Sequence, residues 1–439
     1  MKNLNVIIIV FAMAWATPPA FGQKRNQAGA RRDTVTLPQP HATKSKTNFS
    51  KVQGWKSGRL PDAPQGMIVN RFADGFENPR WTYVTPNGDI LVAESNGNHT
   101  FWEKVAAPIV GASKSNNLHH SADRITILRD ANHDGTPEMR QQFLGGLNQP
   151  FGMLILKDWF YVANTDGLWR FPYKEGAVGI TGKGEKILDL PAGKHNRHWT
   201  RNIIANKNGT KIYIAVGSGS NVAEHGMLNE ILRADILEID PDGTNMRIYA
   251  SGLRNPVGMG FAPGTNTLWT VVNERDELGD DLVPDYLTSV HEEGFYGWPY
   301  TYYGEHVDAR VKDRPATARN AIVPDVPLGS HTASLGLAFC TNKTFPEKYQ
   351  NGAFIAQHGS WNRSTLAGYK VVFVPFKNGK PSGKPEDFLT GFMADIKKDK
   401  VYGRPVGITL LPDGSMIITD DVNGVIWRVA SSTSAITSK

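Results

Sequence analysis

Four basic side chains stand at matching places in the sequence, each at a turn that opens an apolar run. They are His198, Arg254, His331 and Arg404. A histidine that faces a wet channel can act as a general base near neutral pH. Arginine forks are the usual means of holding a ligand with several carboxylates or phosphates. The pattern therefore predicts a site that binds an anionic small molecule and moves a proton.

A dense run of charged residues follows the apolar strand that ends at Val272. It comprises residues 273–277, Asn-Glu-Arg-Asp-Glu, and residues 279–281, Gly-Asp-Asp. Charges directly after a buried strand are costly unless they are paired, bound to a metal or exposed to a wet cavity. This run favours a functional site over a plain solvated loop. The alternative for Arg254 is that it only pairs with a neighbouring acid such as Glu274.

Six related units between residues 64 and 430 position these side chains. Each unit has an apolar strand, a turn on Pro, Asn, Asp or Gly, and a second apolar strand; the fourth covers residues 257–272. Units about 50 to 75 residues apart are typical of four-stranded blades around an axis. We predict an all-β fold, a six-bladed β-propeller over residues 64–430. Strand 67–72 should join the last blade and close the ring, and the opening turns should meet at one mouth.

The two ends of the chain are predicted to lie outside this domain. Residues 1–23 contain Lys2, an apolar run and the residues Pro-Pro-Ala-Phe-Gly at 18–22. This layout is that of a secretory signal peptide and is too short for a retained membrane span. Residues 24–63 read as a flexible basic leader, and residues 431–439 as a polar tail. We therefore predict a periplasmic or secreted protein with no membrane span.

Composition and motifs argue against several functional classes. The net charge of +6 comes mainly from the predicted leader, so no nucleic-acid partner is predicted. The single cysteine, Cys340, lies in an apolar run and is expected to be a buried, inert thiol. No HExxH, GxSxG or GxGxxG motif occurs in its required context. Their absence argues against a zinc peptidase, an α/β-hydrolase and a nicotinamide-binding domain.

Two polar loops resemble ligand-binding motifs. Residues 130–138 space their oxygen-bearing side chains like a calcium loop, but the flanks read as strands. A hairpin turn is favoured there, and a second Ca²⁺ site is left open. Residues 217–221, Gly-Ser-Gly-Ser-Asn, lack the lysine and the helix of a phosphate-binding loop. We predict a turn at a strand end beside the channel.

Several motifs in combination resemble those of the pyrroloquinoline-quinone (PQQ)-dependent soluble sugar dehydrogenases, the glucose and sorbosone dehydrogenase group. The motifs are residues 252–258, 273–276, 279–286, 294–299, 357–363 and 403–407. The resemblance covers roughly residues 64–429. It implies a six-bladed propeller with PQQ and Ca²⁺ in the axial mouth. The implied activity is oxidation of a sugar or sugar aldehyde by hydride transfer to PQQ.

The resemblance also implies roles for individual residues. His198 is similar to the catalytic base, and Asp281 to the acidic residue that supports it. Calcium would be held by the loop at Arg275 and Asp276. Trp199 and Thr200 follow His198 where the glucose enzymes have small residues, which argues against glucose as the substrate. The predicted cofactor-binding residues are Arg201, Arg254, Asn255, Glu274, His358 and Arg404.

Two other functional classes remain open at this stage. A calcium-dependent propeller hydrolase of the lactonase type would use His198 or His331 as base. Its metal would be held by carboxylates such as Glu94, Asp276 and Asp281. A propeller that only binds carbohydrate is the third class. The dehydrogenase is distinguished from both because it needs PQQ, a sugar substrate and an external electron acceptor as partners.

Overall fold

The computed structural model describes residues 35–98, 107, 111–116, 118–132 and 134–432. Over these residues the regular elements are β-strands and short 3₁₀ helices, so the predicted all-β class is confirmed. Residues 38–432 belong to one compact unit. The predicted signal peptide and residues 433–439 of the predicted tail lie outside the described residues. The 3₁₀ helices span Ala112–Ser115, Met227–Glu230, Ala316–Asn320, Glu347–Tyr349 and Ile396–Lys398.

Six sheets of four or five strands follow one another along the chain. Sheet 1 comprises Pro79–Val84, Ile90–Glu94, Arg124–Arg129 and Met139–Leu144, and sheet 2 comprises Met153–Leu156, Trp159–Asn164, Gly167–Pro172 and Glu185–Asp189. Sheet 3 comprises Arg201–Ala205, Ile212–Val216, Asp235–Ile239, Arg247–Ser251 and Gly294–Phe295. Sheet 4 comprises Pro256–Phe261, Leu268–Val272, Pro284–Ser289 and Val326–Ser330. Sheet 5 comprises Ser334–Cys340, Gly352–Gln357, Lys370–Lys377, Lys380–Pro381 and Glu386–Leu389, and sheet 6 comprises Pro405–Leu410, Met416–Asp420, Val425–Ser431 and Met67–Ala73. Two small sheets add Lys51–Val52, Met393–Asp395 and Lys400–Val401, and Thr301–Tyr302 with His306–Val307.

The second strand of each sheet is deeply buried. Ile212–Val216, for example, is buried at every residue, as are the second strands of sheets 1, 4, 5 and 6. A strand that is buried on both faces reads as a continuous apolar run, which is what the sequence shows at these positions. Both faces of each sheet must therefore be covered by neighbouring elements.

Neighbouring sheets provide that cover, and the sixth sheet packs on the first. Burial of one large apolar side chain contributes about 1.5–3 kcal/mol, so these contacts stabilise the arrangement strongly. The arrangement is consistent with a propeller-like fold. Successive sheets contribute to common hydrophobic clusters, and Tyr213 also makes an aromatic contact with Phe261. Side chains of successive sheets that share a cluster include Leu91 and Phe160, Tyr161 and Ile214, Leu287 and Ile355, Phe373 and Trp427, and Ile417 and Ile90.

The first and last strands of the domain meet in sheet 6. Met67–Ala73 pairs antiparallel with Val425–Ser431, as predicted for the strand that joins the last unit. This pairing satisfies the backbone groups of an edge that would otherwise be free. The two ends of the domain are thus held in one sheet.

Residues 38–63, which the sequence places in a flexible leader, are tied to the sheets. Lys51–Val52 pairs in parallel with Lys400–Val401. Trp55 Nε1 donates to Asp420 Oδ2 at 2.6 Å, and its ring packs against Trp427. These contacts are made by aromatic and backbone groups. The prediction of a flexible leader considered only the basic composition and is wrong for these residues. Residues 24–34 of the predicted leader lie outside the described part of the chain.

Three further predictions concern single features. Cys340 is a buried free thiol, as expected, and burial raises its pKa. In the loop at 130–138, the Asp130 carboxylate accepts the backbone amides of Asp134 and Gly135, the pattern of a hairpin turn. His133 of that loop lies outside the described residues. Among the residues that are described, none lies in a helix long and apolar enough to cross a membrane.

Candidate active site

The turns that open the first strands, together with the loops that follow the second strands, bring several of the predicted site residues to one rim, although not Asp281. The first strands of the six sheets contact one another in the order 1-2-3-4-5-6-1. Two groups of polar side chains lie where they begin. The His198 cluster comprises His198, Arg254, Asp276 and His331, and the Arg404 cluster comprises Arg80, His358, Arg404 and Asp421. The clusters adjoin, because the Arg80 guanidinium lies 5.5 Å from the ring centre of Trp199, the residue after His198.

His198 has the geometry of a neutral base. Its Nδ1 lies 2.9 Å from the Ser218 carbonyl oxygen and 2.9 Å from Ser218 Oγ. A proton on Nδ1 can be donated to that carbonyl, which leaves the Nε2 lone pair without a partner among the described residues. Burial, and then the charges of Arg254 and Arg197, hold the pKa of His198 well below its usual value. The imidazole is therefore neutral at neutral pH and able to accept a proton.

Gly217 allows Asn255 to approach His198 closely. A Cβ atom at position 217 would lie 2.4 Å from Asn255 Oδ1 and 2.6 Å from His198 Cβ, so only glycine fits there. Asn255 is buried, and its Oδ1 has no hydrogen-bond partner among the described residues. A buried acceptor without a donor is costly, which marks this oxygen as a place for a ligand or a water molecule.

Arg254 is fully bonded within the protein. Its Nε donates to the Asn221 carbonyl at 3.3 Å, and its Nη1 donates to the carbonyls of Asn273 and Glu274 at 3.3 and 2.5 Å. Its Nη2 donates to Asn221 Oδ1 and Asp276 Oδ2, both at 3.0 Å. An arginine has five N–H donors, and here each has an acceptor. Arg254 therefore fixes these loops and has no donor left for a ligand.

Asp276 is surrounded by cations. Besides Arg254, Arg197 Nη2 lies 3.8 Å from its Oδ2, and His331 Nδ1 lies 3.4 Å from its Oδ1. Burial acts to raise the pKa of Asp276, but Arg254, His331 and Arg197 lower it to about 2. Burial acts to lower the pKa of His331, but Asp276 and the Gly279 carbonyl, which accepts from Nε2 at 2.8 Å, raise it. The pKa of His331 is thus raised, in contrast to that of His198.

Glu274 and Arg275 are bonded to each other and to a neighbouring loop. Arg275 is fully buried, and its Nε donates to Glu274 Oε2 at 3.0 Å. Its Nη1 donates to the Pro299 carbonyl at 3.1 Å and to Asp308 Oδ2 at 3.2 Å, and its Nη2 donates to the Thr301 carbonyl at 2.8 Å. Both side chains therefore hold the loop in place and face protein atoms.

The loop at residues 274–276 does not fit a metal ion. The Glu274 carbonyl accepts from Arg254, and the Asp276 carbonyl accepts from Arg310 Nη1 at 3.0 Å and from Asn221 Nδ2 at 3.2 Å. A divalent cation there would meet guanidinium groups where it needs free oxygen ligands. Within the described ranges, no group of three or more His, Cys, Asp or Glu side chains is arranged to hold a metal.

Arg201 supports the backbone at His198. It is fully buried, and its Nη1 donates to the His198 carbonyl at 2.7 Å. Its Nη2 donates to the Pro191 carbonyl at 2.6 Å and to Asn196 Oδ1 at 2.9 Å. Burial, and then the charge of Arg233, lower the pKa of Arg201 to about 9. The contacts of Arg201 are those of a group that orients the base.

Asp281 lies apart from His198. Its side chain is 57% exposed and forms an ion pair with Arg363 Nη2 at 3.0 Å. Asp276, five residues earlier, is the acid whose charge acts on the His198 imidazole. The two carboxylates are close in sequence but differ completely in environment.

Arg404 retains donors for a ligand. It is 7% exposed, its Nε donates to the His358 carbonyl at 3.0 Å, and its Nη2 donates to the Gly359 carbonyl at 3.0 Å. Its Nη1 has no partner among the described residues. The guanidinium carbon lies 5.6 Å from the ring centre of Tyr369, which holds its plane in place.

His358 and Arg80 share one carboxylate, that of Asp421. His358 Nε2 lies 3.0 Å from Asp421 Oδ1, and Arg80 Nη1 donates to Asp421 Oδ2. Burial, and then the charge of Arg404, lower the pKa of His358 to about 4. Burial acts to raise the pKa of Asp421, but His358 and Arg80 lower it. With two arginines and one carboxylate charged and His358 neutral, the Arg404 cluster has a net positive charge.

Sequence reasoning missed two residues of the rim, Arg80 and Asp421, and it placed a third, Ser218, only within a turn beside the channel. Arg80 directly follows the Asn-Pro turn of the first unit, Asp421 follows the second strand of the sixth, and Ser218 follows that of the third. They lie near the same strand ends as Arg254 and Asp276, although not at aligned positions. A search of both strand ends in all six units for polar residues could have found them.

A comparison with protein families assigns the chain. The family model described as TrAA12-like matches residues 61–293 and 302–432, which is most of the sequence. The chain belongs to the TrAA12-like family. Both clusters at the rim of this TrAA12-like protein lie within the matched residues.

Two relatives show how far the TrAA12-like chain resembles other proteins. It is 30% identical over 295 residues to an uncharacterized protein of Borreliella burgdorferi, with 64% of this chain and 76% of that protein covered. It is 22% identical over 440 residues to the pyrroloquinoline quinone-dependent pyranose dehydrogenase of Coprinopsis cinerea, with 84% of this chain covered. The TrAA12-like chain spans only 56% of the length of that dehydrogenase.

Solved structures share its fold. The AA12 carbohydrate-active enzyme of Trichoderma reesei superposes with a TM-score of 0.68 at 19% identity, covering 89% of this chain and 100% of that one. The PQQ domain of the Coprinopsis cinerea pyranose dehydrogenase gives 0.65 at 18%, covering 87% and 100%. The PQQ-bound aldose sugar dehydrogenase of Streptomyces coelicolor gives 0.55 at 15%, covering 84% and 99%. The predicted resemblance to PQQ-dependent sugar dehydrogenases is confirmed.

Proposed function

We propose that this TrAA12-like protein is a PQQ-dependent oxidoreductase that oxidises a hydroxyl group of a sugar or sugar aldehyde. The observation that carries the proposal is the state of His198. Its Nδ1 is bonded to Ser218, its Nε2 has no partner in the part of the chain that the structure describes, and its pKa is lowered by burial and by two arginines. A neutral base beside a cationic rim suits the removal of a hydroxyl proton next to an anionic cofactor. The redox class is supported by the PQQ-dependent enzymes among its relatives.

The residues at the rim fit an anionic, planar cofactor. Considering only the residues that the structure describes, Arg404 has its Nη1 donors available, Arg80 has a buried Nε without an acceptor, and Asn255 has a buried Oδ1 without a donor. Arginine forks bind carboxylates in two-point contacts, and PQQ carries several carboxylates. When bound, PQQ would supply the carbonyl that accepts a hydride. Arg404 and Arg80 would hold it, and the orphaned atoms would gain partners.

The protein's own part in the reaction is to bind, orient and deprotonate the substrate. His198 Nε2 takes the hydroxyl proton, and the Ser218 carbonyl stabilises the imidazolium that forms. Arg201 fixes the backbone of His198, and Arg254 keeps the imidazole neutral before the substrate arrives. Asp276, which we propose in place of Asp281 as the supporting acid, balances the cations around the base.

We assign no step to Ca²⁺. The carbonyls of Glu274 and Asp276 already accept from arginines, and a calcium loop needs free oxygens. The same pairing argues against the metal-dependent lactonase. Glu94 accepts from Arg124 and Thr126, and Asp276 and Asp281 each have an arginine partner.

We further propose that the six sheets are the blades of a closed propeller over residues 64–430 and that the chain is exported. The first proposal is supported by the contact order of the first strands and by the packing of sheet 6 on sheet 1. The second rests on the layout of residues 1–23 alone. The electron acceptor would then be an external partner on the same side of the membrane.

The test is to add PQQ to the purified protein, with Ca²⁺ in one series and with EDTA in another. The cofactor's absorption and the reduction of a dye are followed across aldoses, sorbosone, polyols and lactones. We expect uptake of PQQ and dye reduction with one class of sugar or sugar aldehyde. Absence of uptake in both series would refute the redox proposal, and turnover of a lactone without PQQ would favour the hydrolase.

A further inference from the structure

Residues 217–221, named here the Ser218 loop, support both halves of the His198 cluster. Ser218 contacts His198 Nδ1, and Asn221 contacts Arg254 and Asp276. Ser218, Ser220 and Asn221 are each at most 2% exposed. A loop buried this deeply must have its polar groups hydrogen-bonded. The side chains that bond to this loop therefore also determine the position of His198.

A single carboxylate fixes the centre of this loop. Glu230, the last residue of the 3₁₀ helix Met227–Glu230, is 4% exposed. Its Oε2 accepts the backbone amide of Gly219 at 2.7 Å, and its Oε1 accepts Ser220 Oγ at 2.5 Å. The Ser220 carbonyl in turn accepts Ser218 Oγ at 2.7 Å. Glu230 is thus linked through Ser220 to Ser218, the residue that holds His198.

The segment that carries Glu230 is under conformational constraint. Ala223, Leu232 and Ala234 have φ angles of 60°, 57° and 56°, in the left-handed region that non-glycine residues avoid. Such residues persist only where surrounding contacts over-determine the backbone. The bonds of Glu230 to Gly219 and Ser220 are contacts of this kind, since they join the segment to the buried loop.

We infer that Glu230 is a positioning residue for the base. It holds the Ser218 loop so that His198 Nδ1 carries the proton and Nε2 remains free to accept one. The inference rests on the proposed function for its catalytic consequence, but the position and tautomer of His198 do not depend on bound PQQ. Glutamate suits the role because a carboxylate only accepts, whereas the amide of glutamine would turn a donor toward the Gly219 amide or Ser220 Oγ.

The test compares Glu230→Gln with Glu238→Gln. Glu238 is a buried glutamate in strand Asp235–Ile239 of sheet 3. It accepts from Arg247 Nε at 2.8 Å and has no hydrogen bond to the Ser218 loop among the described residues. Nitrogen NMR of the histidines reports the tautomer and titration of His198 in the protein without cofactor. In Glu230→Gln we expect a mixture of tautomers and a changed His198 titration. With PQQ we expect kcat to fall about 10- to 100-fold with KM within about twofold, because slight misplacement of a catalytic group is costly.

Each outcome decides between the inference and the proposed function. An unchanged tautomer and titration of His198 in Glu230→Gln would overturn the inference, even if activity fell. A changed tautomer in a protein that shows no PQQ-dependent turnover would uphold the positioning role and refute the proposed function. If Glu230→Gln does not fold, Ser220→Ala removes one of the two contacts and leaves the carboxylate. We expect a smaller change in the same direction, and no change at all would overturn the inference.

Discussion

The two clusters at the rim use arginine in different ways. In the His198 cluster, every donor of Arg254 is bonded within the protein. In the Arg404 cluster, Arg404 keeps its Nη1 donors and Arg80 keeps a buried Nε without an acceptor. A saturated guanidinium acts through its charge and its rigidity, whereas an unsaturated one can bind an anion. The first cluster therefore sets the proton affinity of the base, and the second is free to bind the ligand.

The histidines differ for the same reason. His198 is beside arginines and has only a carbonyl and a hydroxyl as partners, so its pKa is lowered. His331 is beside Asp276, and its pKa is raised. His358 also faces a carboxylate, that of Asp421, but burial and Arg404 outweigh it. The balance of local charge and burial, and not the residue type, decides which histidine can serve as a base.

The largest effect is expected for His198→Ala. Loss of a general base lowers kcat by about 10²- to 10⁴-fold. Uptake of PQQ should be retained, because the donors proposed to bind it belong to Arg404 and Arg80. Stopped-flow reduction of bound PQQ, with cofactor absorption measured separately, checks both statements. The matched control is His195→Ala, since His195 stacks on His225 at 3.8 Å and should have no part in turnover. Normal turnover of His198→Ala would refute the role of His198 as the general base.

A smaller but substantial effect is expected for Asp276→Asn. The change leaves Arg254, which is 1% exposed, without its carboxylate partner. Breaking a buried pair from one side costs about 3–5 kcal/mol in the free energy of unfolding, which urea denaturation measures. The control is Asp281→Asn at the exposed pair with Arg363, where about 0–1 kcal/mol is expected. Equal losses in the free energy of unfolding for the two variants would contradict the distinction between the buried Asp276 and the exposed Asp281.

The sequence predicts the all-β class and the location of the rim because both depend on local patterns. Apolar runs and turn residues mark the strands, and the opening turns of repeated units lie at equivalent places. His198 and Arg404 were found in this way. The bonding of each side chain could not be predicted, because the acceptors of Arg254 come from two loops far apart in sequence, one at Asn221 and one at Asn273 to Asp276.

The orientation of side chains within irregular loops could not be predicted from the sequence either. Asp276 and Asp281 lie in one charged run, yet one is buried among cations and the other is exposed. No periodicity tells which side of such a loop a side chain takes. The prediction for residues 38–63 failed for a similar reason. Their basic composition suggests a mobile leader, whereas in the structure Trp55 packs against Trp427 and Phe392.

The smallest effect concerns the pH dependence of turnover. His198 must be neutral to accept a proton, and its pKa in the folded protein lies well below the usual value. The rate kcat/KM should therefore stay constant as the pH falls through 6.5, the usual histidine value, and decline only in more acidic solution. In Arg197→Gln, a cation near the base is lost, so the pKa of His198 should rise and the acidic limb should move to higher pH.

The size of that shift follows from the exposure of Arg197. Its side chain is 40% exposed and lies 3.8 Å from Asp276, so solvent screens much of its charge. We expect a shift of less than about one pH unit, which shrinks further in high salt because exposed charges are screened. Arg363→Gln is the control, because Arg363 pairs with the exposed Asp281 and should leave the limb unchanged. A limb that moves to lower pH in Arg197→Gln would contradict the direct action of Arg197 on the base, and would mean that Arg197 acts mainly by keeping Asp276 ionised.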